Sequence, residues 1–190
     1  MSEVTFRPAT DENGYIRFQS RTHEINNRPM VSLAYGKGNL ADNGCGAIAL
    51  YNALLHAGAE RDIENLMSEL ICEGGLWFGG RWGTKPRVLK KCFSRYFENT
   101  VSAFSFEGLM KKAESPQAVV VMTEKKKSMH YFLGLSDGAG GYRFYNSALR
   151  SDTNRRGSID GTCLTLVELR SVLSENGTRL LWLIGAGKVR

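Results

Sequence analysis

From Gly46 to Ala57 the chain reads GAIALYNALLHA, with apolar residues on nearly every face of a helical projection. A surface helix shows a single apolar stripe, whereas one that is apolar all round is covered on most sides. The pattern therefore predicts a central buried helix, closed by Gly58 as its C-terminal cap. The next segment, DIENLMSELI, places Ile63, Leu66, Met67, Leu70 and Ile71 at spacings of three and four, which predicts a one-sided helix. After the glycine-rich GGLWFGGRWG of residues 74–83, Thr84 can cap a third helix with Pro86 in its first turn. Its buried face would carry Val88, Leu89, Cys92, Phe93, Tyr96 and Phe97.

The period changes after Asn99. VSAFSF, QAVVVMTE, MHYFLGLS and GYRFYNS read as short strands, with SDGAGG joining the last two as a hairpin. A helix at Thr165 to Leu173 and an apolar final strand, RLLWLIGA, complete the pattern. Residues 1–38 are polar and turn-rich, with one strand expected at Met30 to Tyr35, and read as an arm across the surface. Helices first and strands later predict an α+β fold, a central helix packed on a mostly antiparallel sheet. No internal repeat, low-complexity tract or linker divides the chain. The expected organisation is a single domain over 1–190: the arm (1–38), a helical part (39–98) and a sheet part (99–190).

Composition narrows this picture. A chain of 190 residues can bury about 70% of the surface its unfolded form exposes, enough for a core without staples. The formal charge of +6 comes from small clusters at Lys90 and Lys91, Lys111 and Lys112, Lys125 to Lys127, and Arg155 and Arg156. These form no single stripe in sequence, so a solvated surface is expected in preference to a nucleic-acid interface. Cys45, Cys72, Cys92 and Cys163 contain no CxxC pair, which argues against a zinc site and a disulfide framework. No metal and no cofactor are implied, and Cys72, Cys92 and Cys163 are expected to fill the core. The N-terminus lacks an apolar targeting segment and no run approaches the ~20 apolar residues that span a bilayer, so the expectation is a cytoplasmic protein without a membrane partner. GAGK near the C-terminus lacks the spacing of a phosphate-binding loop.

Cys45 stands apart from the other thiols. It lies between Gly44 and Gly46 at the mouth of the buried helix, where Asn43 or Asp42 is placed to cap. In a first helical turn, unsatisfied N–H groups and the macrodipole favour thiolate over thiol. The flanking glycines leave room for a substrate backbone. A nucleophilic thiol needs a base, and the chain has three histidines. His56 lies on the same helix, about 16 Å along its axis from Cys45 at 1.5 Å per residue, too far to be the partner. His23 sits in the polar arm. His130 opens the strand MHYFLGL, where a sheet can fix the backbone while the ring points into a cleft. A third group should accept from the other imidazole nitrogen and hold the tautomer. Asn146 ends the strand that pairs by hairpin with that of His130; Asp137 and Asp152 are the alternatives.

At this point the residues resemble a family. N-G-C-G-A-x-A-x-x-N-A-L at the head of a buried helix, then H-Y-F-L-G-L, then Y-R-F-Y-N-S, is similar to the papain-like cysteine peptidases and, within them, the bacterial C39-like group. The resemblance covers about residues 39–147 in element order. It implies a papain-like fold with Cys45 as nucleophile, His130 as general acid and base, and Asn146 as orienter. The family usually places glutamine six residues before the nucleophile, as an oxyanion donor. Here that position is Asn39, one methylene shorter, with Asn43 as the substitute.

The function expected is thiol-dependent hydrolysis of peptide or amide bonds on a peptide or protein substrate, through a thioester. Trp77, Phe78 and Trp82, with Gly44 and Gly46, would line the substrate groove. Two alternatives stay open: an amidase, deamidase or acyltransferase on the same scaffold, and a non-catalytic peptide-binding module. Oligomeric state is not legible in the sequence.

Overall fold

A computed structural model describes residues 5–151 and 157–190. The third-group alternative Asp152 and the basic pair Arg155 and Arg156 lie outside the described residues. The chain divides into two compact units, one ending at Leu89 and the other beginning at Lys90.

The first unit opens with β1 (Arg7–Pro8), β2 (His23–Ile25) and β3 (Arg28–Pro29), β1 and β2 parallel and β2 and β3 antiparallel. A 3-10 turn at Met30–Ser32 follows, then β4 (Ala34–Tyr35) hairpins with β5 (Gly38–Asn39). The strand expected over Met30 to Tyr35 is thus half turn. Ile16, Met30, Leu33 and Tyr35 are fully buried, so the stretch read as a surface arm contributes to the interior of this unit. The buried Asn52 holds part of it in place. Its side-chain amide donates to the Ile16 carbonyl and accepts from the Ile16 N–H, both at 2.9 Å, as a neighbouring strand would.

Three helices follow: α1 (Leu40–Asn43), α2 (Cys45–His56) and α3 (Ile63–Cys72). On α2, Cys45 to Leu50 and Asn52 to Leu54 are buried, apart from the half-buried Tyr51, as an all-round apolar pattern requires. Gly58, with φ of +72°, takes the left-handed position that ends it. Asp62 caps α3 by accepting from the N–H groups of Glu64 and Asn65, and Ile63, Leu66, Met67 and Leu70 face inward while Ile71 is exposed. The ribbon of β6 (Leu76–Trp77) and β7 (Trp82–Thr84) completes the unit. Helix α4 (Pro86–Tyr96) runs across the division.

The second unit is built on a six-stranded sheet of β8 (Val101–Ala103), β9 (Ala118–Lys125), β10 (Ser128–Ser136), β11 (Tyr142–Tyr145), β14 (Cys163–Leu164) and β15 (Arg179–Ala186). Its order is β14-β11-β10-β9-β15-β8 and every pairing is antiparallel. A small ribbon of β12 (Arg150–Ser151) and β13 (Gly157–Ser158) lies apart from it. β9 is central, and Ala118 to Thr123 are all buried, which explains an apolar run where an edge strand would alternate. Helices α5 (Phe106–Met110) and α6 (Leu166–Glu175) lean on the sheet, closing a core that includes Val119, Val121, Phe132, Phe144, Leu169 and Leu183. Phe132 and Phe144 meet edge to face. Thr165 and Glu168 form a reciprocal cap on α6.

Residues 104–106 were expected to extend β8; instead Ser105 accepts from the Gly108 N–H and starts a one-turn helix. Local capping there outcompetes the β-propensity of the phenylalanines. Mixed α/β structure with an antiparallel sheet is therefore established.

Candidate active site

In the first unit the chemistry gathers at the break between α1 and α2. Gly44 lies between them and is the N-cap of α2, with no side-chain cap; Cys45 is the first helical residue. The sequence reading placed Asn43 or Asp42 in that capping role. Instead both belong to α1, whose own cap is Asn39. The Asn39 Oδ1 accepts from the Asp42 N–H, and its Nδ2 donates to Asp42 Oδ2, each at 3.0 Å. Arg21 in turn grips the Asp42 carboxylate with two bonds of 2.8 and 2.7 Å. The Arg21 bonds above all hold the Asp42 carboxyl below the usual carboxylate range; burial opposes them and the contact from Asn39 helps. An amide NH₂ has two donors, so Asn39 keeps a second N–H beyond the one given to Asp42. The Asn43 side chain packs against the Cα of Gly38.

Cys45 is 8% exposed. Its neighbours are small for a steric reason. A Cβ on Gly44 would fall 2.5 Å from the Leu40 carbonyl, and one on Gly46 would fall 2.5 Å from Thr84 Oγ1. Thr84 is itself buried and bonded to Tyr35 Oη at 2.7 Å, which anchors β7 against the start of α2. The same ribbon carries three aromatic rings. Phe78 stacks on Trp77 and meets Trp82 edge-on, while remaining 67% exposed with a left-handed φ of +49°. A strained, exposed aromatic is the opposite of a core-filling residue.

In the second unit the chemistry sits where β10 and β11 part. Their register runs from Ser136 opposite Tyr142 to Leu133 opposite Tyr145 and then stops. Asn146 turns out of the sheet with φ of +58°, and Ala148 follows at +53°. That turn aims the Asn146 main-chain carbonyl at His130, whose Nε2 lies 2.5 Å from it. A carbonyl can only accept, so Nε2 carries the proton and, in the neutral ring, Nδ1 carries the lone pair. The half-buried His130 is therefore held as the tautomer that offers Nδ1 as a base.

Sequence reading missed the support behind this contact. Asp160, 4% exposed, accepts from the Ser147 N–H at 2.7 Å and from Ser158 Oγ at 2.5 Å. The Gly161 N–H reaches the Phe144 carbonyl at 2.7 Å and the Ile159 N–H the Leu149 carbonyl at 3.1 Å, so the segment around Asp160 clamps both sides of Asn146. The signal available in sequence was the Asp160-Gly161 turn pair.

The remaining candidates are occupied elsewhere. His56 Nδ1 lies 3.3 Å from Tyr15 Oη at the far end of α2, and burial holds its ring below the usual histidine range. His23, on β2, is lowered first by burial and then by Arg7. Asp137 caps its own hairpin turn through the N–H groups of Ala139 and Gly141. Cys92 is buried, but Cys72 and Cys163 are exposed, contrary to their expected place in the core. Cys163 donates to Asp137 Oδ2 at 2.8 Å, and that bond to a carboxylate pushes the thiol up. Among the described residues no cluster of three or more His, Cys, Asp or Glu could hold a metal ion, and no helix is long and apolar enough to cross a membrane.

No family model and no curated protein matches the chain. Among solved structures it is similar to the peptidase domain of Streptococcus ComA, a bi-functional ABC transporter involved in a quorum sensing pathway. The identity is 16% and the TM-score 0.46, over 76% of this chain and 90% of that one.

Proposed function

We propose that the chain is a papain-like thiol hydrolase of the C39-like group, acting on peptide or amide bonds, with Cys45 as nucleophile and His130 as its base. The observation that carries this reading is the position of Cys45 as the first residue of a buried helix with no side-chain cap, between two glycines. There the N–H groups of the first turn and the helix dipole favour a thiolate. Support comes from His130, whose tautomer is fixed by the Asn146 carbonyl with Nδ1 as the basic nitrogen.

In the proposed cycle the Cys45 proton passes to His130 Nδ1 and the sulfur attacks the scissile carbonyl carbon. The Cys45 backbone N–H and the second N–H of Asn39 stabilise the oxyanion. His130 then gives its proton to the leaving nitrogen, and a thioester forms as the C–N bond breaks. Water, losing a proton to His130, attacks that thioester; the acid leaves and the thiol is restored. Trp77, Phe78 and Trp82 are proposed to hold apolar parts of the substrate, and Gly44 and Gly46 to admit its backbone.

The test is a mass-spectrometric screen of a peptide and acyl-amide pool with the full chain. Wild-type protein should cleave members of the pool, and Cys45→Ala and His130→Ala should each abolish that cleavage. Full cleavage by Cys45→Ala would overturn the reading.

A further inference from the structure

The turn between β9 and β10 consists of Lys126 and Lys127, with φ of +49° and +65°. Both central positions of such a two-residue turn suit asparagine and glycine, which reach the left-handed region cheaply. Here they are filled by the last two of three consecutive lysines. Lys125, Lys126 and Lys127 are all exposed, and none has a carboxylate partner among the described residues. Mutual repulsion thus acts on all three residues, and backbone strain on Lys126 and Lys127 as well. A turn serving only to reverse the chain would carry neither, and strain retained against the local preference points to a use.

Beside this turn lies a cavity of about 440 Å³. Lys125 and Lys126 line it, with the hydroxyl-bearing residues Thr123, Ser128, Ser147 and Thr178, and His130 stands in its wall. Lys127, in the same turn, does not line it. Among the described residues no acidic side chain lines it either. Two lysines and four hydroxyl-bearing residues around a space of this size match an anion with several acceptor oxygens. Glu124, the acid next to Lys125 in the chain, is taken by Arg179.

The geometry points to this cavity as a substrate subsite for a carboxylate, carried by a peptide either on an acidic side chain or at its C-terminal end. The inference rests on His130 being the base of the proposed hydrolase, because the cavity then adjoins the ring of that base. Acidic substrates would be selected by charge at Lys125 and Lys126, with Thr123, Ser128, Ser147 and Thr178 supplying hydrogen bonds.

Binding can be read without turnover in the full-length Cys45→Ala protein, labelled with ¹⁵N-histidine, by following the His130 ring resonances. Three peptides of equal length serve as probes: acetyl-pentaalanine amide, the same peptide with a central glutamate, and acetyl-pentaalanine with a free carboxyl end. The glutamate peptide, the free-acid peptide or both should bind about tenfold more tightly than the neutral amide at low salt, with the advantage shrinking as salt rises. Which of the two gains shows whether the carboxylate comes from a side chain or from a chain end. The double variant Lys125→Gln/Lys126→Gln should lose the preference, and Lys127→Gln should keep it. Equal affinity for all three peptides, no His130 response to any, or equal loss in Lys127→Gln would overturn the subsite. Charge-selective binding here in a wild-type protein that cleaves nothing would instead overturn the hydrolase and leave the subsite standing. Cleavage of neutral and acidic peptides at equal rates would do the reverse.

Discussion

His130 donates from Nε2 to the main-chain carbonyl of Asn146 at 2.5 Å, a contact made possible by the left-handed backbone of Asn146. Main chain and side chain answer differently to mutation. Asn146→Gly keeps the carbonyl and suits a φ of +58°, so it should retain cleavage activity within about tenfold of wild type. Losing the orienting acceptor altogether, as an essential side-chain amide would entail, costs on the order of 10⁴ in rate. Kinetics on a cleaved peptide distinguish the two, and ¹⁵N shifts of His130 should show the Nε2–H tautomer in both proteins.

Asp160 supports the same contact from behind. Its carboxylate is buried and charge-assisted in its bonds to the Ser147 N–H and Ser158 Oγ. Asp160→Ala removes the acceptor from both and should destabilise the protein by about 2 kcal/mol in urea denaturation. It should also broaden or shift the His130 ring resonances, since the Asn146 to Ala148 turn loses its anchor. Unchanged resonances in a folded variant would show that Asp160 is structural only.

How far these features were legible depends on the range of the interaction. Helix α2 could be read from GAIALYNALLHA because its burial is written in every residue, and β9, β10 and β11 could be read from local β-propensity and a glycine-rich turn. The one-turn α5 could not, because a single cap at Ser105 decided against two phenylalanines. Nor could the cap of α2: Asn43 and Asp42 looked suitable by type, but α1 ends at Asn43 and leaves Gly44 in the position. The Asp160-Gly161 pair marks a turn, but the anchoring role of Asp160 was hidden for a similar reason. Its partner Ser147 is thirteen residues away and is joined through a backbone N–H, which carries no residue-type signal.

The start of α2 is packed too tightly for any side chain at Gly46. An added Cβ would meet Thr84 Oγ1 at 2.5 Å and Thr84 Cβ at 2.7 Å, and Thr84 is held by Tyr35. Gly46→Ala should therefore destabilise the protein by roughly 1–3 kcal/mol. In the double variant Gly46→Ala/Thr84→Ala, part of that loss should return as a favourable coupling in a double-mutant cycle. Strict additivity would place the strain elsewhere.

Stability should fall as pH drops below the ordinary histidine value of 6.5, because His56 and His23 are both held low in the folded protein, first by burial. A depressed folded pKa means that the unfolded chain binds the proton more readily. The contribution is thus fully present above 6.5 and is lost as pH falls through the folded values. Urea midpoints between pH 7.5 and 5 should decline, and His56→Gln should flatten part of the slope. A midpoint that rises on acidification in this window would contradict the partial desolvation of the two rings. Asp42, held low by Arg21, acts separately below the usual carboxylate value of 3.8.

Cys163 offers a contrast with the thiol at position 45. Both its bond to Asp137 and its desolvation favour the protonated form, whereas Asp137 is held low by that same bond, with help from the Ala139 N–H. Exposure alone would make Cys163 reactive, but the nucleophile is the thiolate, and a neighbouring carboxylate disfavours it. At pH 8, iodoacetamide should label Cys163 several-fold more slowly than a free cysteine in an unstructured peptide, by roughly the loss in thiolate fraction. Asp137→Asn removes the negative charge while keeping an acceptor oxygen, and should restore much of that rate. Peptide mapping of the labelled sites gives Cys45 in the same experiment. If Cys45 is the nucleophile proposed, it should label faster than Cys163 and keep its advantage at pH 6.5, where an ordinary thiol is almost wholly protonated.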